Sequence, residues 1–180
     1  MSLRLTSLCR AVLLTLFLSL PALAGASPEW TDFSGVARLG ERRIPFLAGK
    51  VDFRPASDAA ENSDAFTLAT RRGRLTIEAT SPSAAATAVN YYLNRFCGMS
   101  LSHNGDNLHD LLSLPEVAPS VTVRSPFRYR YALNYCTYNY TYSFYDWNDW
   151  ERELDWMALN GVNLMLAPLG TELVWARTLD

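Results

Sequence analysis

The sequence has little charge excess of either sign: 16 Lys and Arg stand against 18 Asp and Glu, a formal net charge of −2. No basic field is therefore available to hold a nucleic-acid backbone. Histidine is scarce. His103 and His109 lie six apart in a loop rich in Gly, Asn and Asp, with no cysteine beside them, and make no metal motif. Three cysteines are too few for a disulfide framework, so the fold must rest on its core. An oxidising compartment could still join Cys97 to Cys136. Long apolar runs are missing too, apart from the ten residues Ala11–Leu20. Ten residues cover only about half of a ~30 Å hydrocarbon core, too little for a membrane span.

That one run has the marks of a targeting segment. Arg4 and Arg10 precede its core, Pro21 breaks it, and Ala22 and Ala24 put small residues where a signal peptidase reads them. Residues 1–24 read as a secretory signal peptide. The mature chain is expected to be exported, into the periplasm, the medium or a lysosome according to the host, with no membrane span after cleavage.

What remains divides by texture. Residues 25–120 are moderately polar with short alternating runs and read as a small α/β domain. The segment 121–180 turns aromatic and densely apolar from Pro126 onward. Between them, Leu114–Pro126 holds three prolines in thirteen residues, the composition of an extended linker. In the first part, Ala65–Thr70 and Arg74–Ala79 alternate as half-buried strands do, with Arg71-Arg72-Gly73 as the hairpin turn. Ser81 and Pro82 open a helix that runs from Ala84 to Cys97 and stops at Gly98. Ala85, Ala88, Val89, Tyr92, Leu93 and Phe96 form its apolar stripe.

In the second part, Phe127–Asn134 reads as a strand. Asp146 can cap a helix from Trp147 to Asn160, with Gly161 ending it. Trp147, Trp150, Leu154, Met157 and Ala158 share one face of that helix. Asp146, Asp149, Glu151, Glu153 and Asp155 are expected to form a solvated face, with Arg152 pairing Asp149 or Asp155. Val162–Ala167 has the apolar run of a strand buried on both faces, and a further helix follows from Thr171. Strand, helix, strand, helix opens a parallel α/β fold. A (β/α)₈ barrel needs eight such units and ~250 residues. The expected class is therefore α/β: a small N-terminal α/β domain, then the first two β/α units of a (β/α)₈-type barrel, truncated.

Residues 127–156 hold twelve aromatics. Sugar rings stack their C–H faces on such side chains, and tyrosine adds a polar tip for the hydroxyls. Packing between strand and helix accounts for most of these rings, and above all for the three Trp of the helix. Asn134 and Cys136 lie where the first strand of this part ends, the end that lines the site in a barrel. Asn134 offers both a donor and an acceptor for a sugar hydroxyl or an acetamide.

Asn134-Tyr-Cys-Thr137, then Tyr140, Asp146-Trp147 and the run from Trp150 to Asn163 resemble the opening of the catalytic domain in α-N-acetylglucosaminidases, glycoside hydrolase family 89. Residues 25–120 are similar to the family's small N-terminal domain, from Ala79 through the Tyr91-Tyr92-Leu93 helix to Gly98. The resemblance implies removal of terminal α-linked N-acetylglucosamine from glycans with retention of configuration. It places substrate-binding positions at Asn134, Cys136 and Tyr140 and needs no cofactor. It also implies that the two catalytic glutamates lie on later strands, beyond Asp180, so this stretch by itself is expected to be inactive and to be digested by proteases after the 115–126 linker. Tyr145 stands where the family usually has Trp, and Thr171, beside Glu172, where it usually has Gln. A sugar-binding or adhesion protein without catalysis, and a nonfunctional gene fragment, are the rival readings. Asn139-Tyr-Thr141 is a glycosylation sequon, of consequence only in a eukaryotic host.

Overall fold

Alternating apolar residues build the sheet on which the rest of the chain packs. The computed structural model describes residues 32–56, 63–166 and 171–179. The signal-peptide reading of 1–24 and the start of the mature chain lie outside them. Four strands, β1 (Val51–Pro55), β2 (Ala65–Arg71), β3 (Arg74–Ala79) and β6 (Val121–Arg124), take the order β1-β3-β2-β6. β2 runs antiparallel to β3 and β6, while β1 runs parallel to β3. The register sets Phe53 and Leu68 opposite Ile77, and Ala79 and Val123 opposite Phe66, so one face is continuously apolar. The other face is held by polar pairs, including Thr67–Thr122 hydroxyls 2.8 Å apart and Arg74 on Asp52 at 2.6 Å. Arg72 and Gly73 both have positive φ, 53° and 74°, as a two-residue hairpin turn requires.

Two helices cover the apolar face, α1 (Ser34–Arg43) and α2 (Pro82–Tyr92). Ser81 caps α2 by accepting the Ala84 amide at 3.0 Å, and Pro82 occupies the first turn. The helix winds on through a π-type turn, Leu93–Cys97, to Gly98 at φ 64°. Ala84, Ala85 and Ala88 let it lie close on the sheet, with Val89, Tyr92 and Leu93 buried beyond them. A small hairpin, β4 (Ser100–Ser102) and β5 (Gly105–Asn107), follows.

The expected extended linker holds only in part. Val117 is buried and exchanges hydrogen bonds with Thr70: the Val117 amide donates to Oγ1 at 2.9 Å, and its carbonyl accepts the Thr70 amide at 3.2 Å. Tyr92 donates its hydroxyl to the Pro115 carbonyl at 2.8 Å. Past Pro119, the stretch Val121–Arg124 has no proline, alternates apolar and polar residues, and takes the open edge of β2 as β6. The three prolines obscured a strand between them.

The second part is shorter in strand than its pattern predicts. β7 (Tyr131–Ala132) pairs in parallel with β8 (Leu164–Met165), where longer strands at 127–134 and 162–167 are expected. Leu164 is 46% exposed, so β8 is not buried on both faces. Among the described residues no third strand flanks this pair, and each strand is held along one edge only. Between them lies α3 (Trp147–Leu159), and α4 (Thr171–Leu179) follows. The start of α3 is as expected: Asp146 accepts the amides of Asn148 and Asp149, and Asp149 returns an acceptor to the Asp146 amide. Gly161, at φ 77°, turns the chain out of it.

The burial of α3 is as expected only in part: Met157 is buried, and Asp146 and Asp149 are exposed. Glu153 and Asp155, read as solvated, are 6% and 3% exposed, while Trp147, read as packed, is 68% exposed. The helix turns its Glu153, Asp155, Met157 and Leu159 positions inward, and Leu159 enters the same core cluster as the sheet and α2. A charged partner from the first part explains the burial of Asp155: Arg42 of α1 grips it through two nitrogens. Arg152 pairs with Asp106 at 3.7 Å, not with a neighbour on its own helix. Among the described residues no helix is long and apolar enough to cross a membrane.

Candidate sugar-binding segment

Directly after β7, Leu133 takes a positive φ of 72° and turns the chain into a 3₁₀ segment, Tyr135–Asn139. Asn134 caps it: its Oδ1 accepts the Thr137 amide at 3.1 Å, and its carbonyl accepts the Thr137 hydroxyl at 2.9 Å. Its Nδ2 donates to the Tyr140 hydroxyl at 3.3 Å. Two of the three sequence-predicted positions, Asn134 and Tyr140, are therefore in direct contact. The Thr137 hydroxyl, 3.4 Å from that of Tyr140, and the Asn134 amide hold the Tyr140 phenol below its ordinary pKa. The third position, Cys136, is half-buried in the same segment, close enough for its charge to oppose Tyr140 ionisation. Cys97 and Cys136 are both free thiols. Asn134 and Tyr140 are exposed, as are the rings of Tyr135 in the same segment and of Phe144 and Trp147 further along the chain. Fewer of the aromatics are packed than the pattern implies. Exposed rings beside an amide and a phenol form a surface suited to a sugar: apolar faces for its C–H groups, donors and acceptors for its hydroxyls.

Behind this segment the rings close up. Tyr142 lies 4.7 Å from Tyr145 and 4.9 Å from Trp150, centroid to centroid. Tyr142 donates its hydroxyl to Glu153 Oε1 at 3.0 Å. On the other side of Glu153, His103 from the β4–β5 turn brings Nε2 to 3.4 Å from Oε2, its ring 3.9 Å from that of Trp156. An open cavity of about 220 Å³ lies against these groups.

Family models match most of the described chain. The Alpha-N-acetylglucosaminidase (NAGLU) N-terminal domain matches residues 34–116, and the Alpha-N-acetylglucosaminidase (NAGLU) tim-barrel domain matches residues 130–180. The chain belongs to the α-N-acetylglucosaminidase family. It is 43% identical to the human α-N-acetylglucosaminidase over 104 residues, 58% of this chain and 14% of that protein. It superposes with a TM-score of 0.76 and 37% identity on a family 89 glycoside hydrolase from Clostridium perfringens in complex with PUGNAc, covering 82% of this chain and 17% of the other. A structure of the clostridial enzyme with its substrate GlcNAc-α-1,4-galactose matches equally, at TM-score 0.76 and 37% identity. The chain thus spans under a fifth of the length of these α-N-acetylglucosaminidase relatives.

Three groups around the segment escaped the sequence reading. Arg130, one residue before β7, reaches Asp64, the Gly161 carbonyl and, at 2.9 Å, the Phe127 carbonyl, and so pins the base of the strand that carries Asn134. Its position among alternating residues marked it only as the polar side of a strand. In the sequence Glu153 and His103 have the pattern of a solvated acid and a loop histidine. A usable signal was Trp150 and Trp156, each three residues from Glu153 on the helix: an acid embedded among aromatics is seldom free of a partner.

Proposed function

We propose that the full-length protein carrying this chain is an exported glycoside hydrolase that removes terminal α-linked N-acetylglucosamine from glycans, and that this chain supplies Asn134, Cys136 and Tyr140 to its sugar pocket. The observation that carries the reading is the Asn134–Tyr140 contact at the C-terminal end of β7, in a chain of this family. Strand ends of this kind line the site in (β/α)₈ enzymes. In the same reading β7, α3, β8 and α4 are the first two β/α units of such a barrel, and the open Trp147 side of α3 faces its strands. Asn134 spends one amide hydrogen on Tyr140 and one lone pair on Thr137, which leaves a donor and an acceptor for the sugar's hydroxyls or acetamide. Hydrolysis with retention needs two carboxyl groups ~5–5.5 Å apart, one as nucleophile and one as acid and base, and no cofactor. Those groups are assigned to the remainder of the full-length protein.

The test is Asn134→Ala in the full-length protein, assayed on an aryl α-N-acetylglucosaminide. Loss of one hydrogen bond to a neutral group, worth ~0.5–1.5 kcal/mol, predicts a several-fold or greater fall in kcat/KM. Unchanged kcat/KM removes Asn134 from the site. Sugar binding without turnover in the unsubstituted protein favours the adhesion reading.

A further inference from the structure

We propose that Glu153 is a positioning residue that holds the sugar-binding segment in place through the Tyr142 hydroxyl, and that the first part of the chain takes a share in this through His103. The inference deepens the glycosidase reading above and rests on it. The segment Asn134–Tyr140 is short and irregular, and the hydrogen bonds of Asn134 and Tyr140 stay within it. An anchor outside it must set its angle to β7. Tyr142, two residues beyond Tyr140, is 8% exposed, and its hydroxyl ends on a carboxylate 6% exposed. A buried carboxylate without partners is costly, so this contact is strongly held once formed. The helix that carries Glu153 is itself held: Asp155, on the opposite side of α3, is clamped by Arg42 of α1. His103 meets the same carboxylate from the β4–β5 turn. One acid therefore connects a hairpin of the first part to the segment that carries Asn134.

The experiment uses the full-length protein with Tyr142→Phe, Glu153→Ala and Glu153→Gln. Amide hydrogen exchange over residues 134–144 and steady-state kinetics on an aryl α-N-acetylglucosaminide are measured together. Tyr142→Phe and Glu153→Ala are expected to speed exchange across 134–144 while α2 is unchanged, and to lower kcat/KM by about five- to tenfold, carried mainly by KM. Glu153→Gln keeps an acceptor for the hydroxyl and is expected to restore most of both. The double variant should be no worse than Glu153→Ala alone, since both changes remove one contact. Unchanged exchange over 134–144 in Tyr142→Phe, or a Gln variant as impaired as the Ala variant, overturns the proposal. Tyr142→Phe removes a single hydroxyl, so it still decides if Glu153→Ala fails to fold. A full-length protein with no turnover at all refutes the glycosidase reading, and the exchange pattern then decides the positioning role by itself.

Discussion

Arg42 and Asp155 form a lopsided pair: the guanidinium is 38% exposed and the carboxylate 4%. Their hydrogen bond, the main cause, raises the Arg42 pKa above its ordinary value. Removing the arginine strands a buried charge, whereas Asp155→Asn leaves a neutral amide beside a cation that water can reach. Breaking a fully buried pair costs ~3–5 kcal/mol; with Arg42 partly solvated, about 2 kcal/mol is expected for Arg42→Ala, and clearly less for Asp155→Asn. Equal losses in urea melts would contradict this. A second residue-scale effect concerns alkali. Burial pushes up the Cys97 thiol, and burial likewise pushes up the Tyr92 hydroxyl. Both raised groups favour the folded state while neutral, so their contribution is complete below the unfolded values, about 8.5 for Cys and about 10 for Tyr, and fades as pH rises through the folded ones. Cys97→Ala should delay the onset of alkaline destabilisation. Identical Tm-against-pH curves for the two proteins between neutrality and strong alkali would refute it.

At the scale of elements, two glycines end two helices in the same way and should tolerate change differently. Gly98 and Gly161 have φ of 64° and 77°. An alanine at either meets the left-handed penalty, roughly 1–2 kcal/mol. At Gly98 an added Cβ meets nothing within 4 Å, but at Gly161 it meets Thr87 Oγ1 at 3.0 Å. That hydroxyl donates to the Ser83 carbonyl at 2.8 Å and cannot swing away without losing the bond. Gly161→Ala should therefore be the more destabilising of the two in thermal melts, and it should disturb the Arg130 contact to its carbonyl as well. A larger loss at Gly98 would show that the α2–α3 seam yields more readily than the packing implies. Caps of this kind were plain in the sequence. Ser81 with Pro82, and Asp146 at the start of α3, act within four residues, where spacing alone decides which atoms can meet.

Over the whole molecule, the two textures of the chain do not correspond to two cores. Leu159 of α3 is fully buried in the cluster that holds Leu68, Ile77 and Tyr92. β6 closes the first sheet from within the proline-rich stretch. Protection from proteases should accordingly extend past 115–126 and through α3 to about Gly161, with α4, whose Val174, Trp175 and Leu179 are exposed, cleaved first. Early cleavage between 126 and 146 with loss of α3 would contradict a shared core. Leu159→Ala should cost ~2–5 kcal/mol and loosen β3 and α3 together in hydrogen exchange; loosening of α3 alone would mean that the two parts melt separately.

Family resemblance singled out Asn134, Cys136 and Tyr140, and the order of elements the α/β class; the sequence by itself determined the hairpin at Gly73 and the caps and ends of α2 and α3. Each depends on residues a few positions apart, and the backbone keeps such residues close in any fold. The tertiary structure decided which acids of α3 are buried, the strand hidden between prolines, and the Tyr142–Glu153–His103 contacts. Arg42 and Asp155 are separated by 113 residues. No spacing rule connects two charges so far apart, and whether an acid is solvated or buried depends on which cation the fold brings to it.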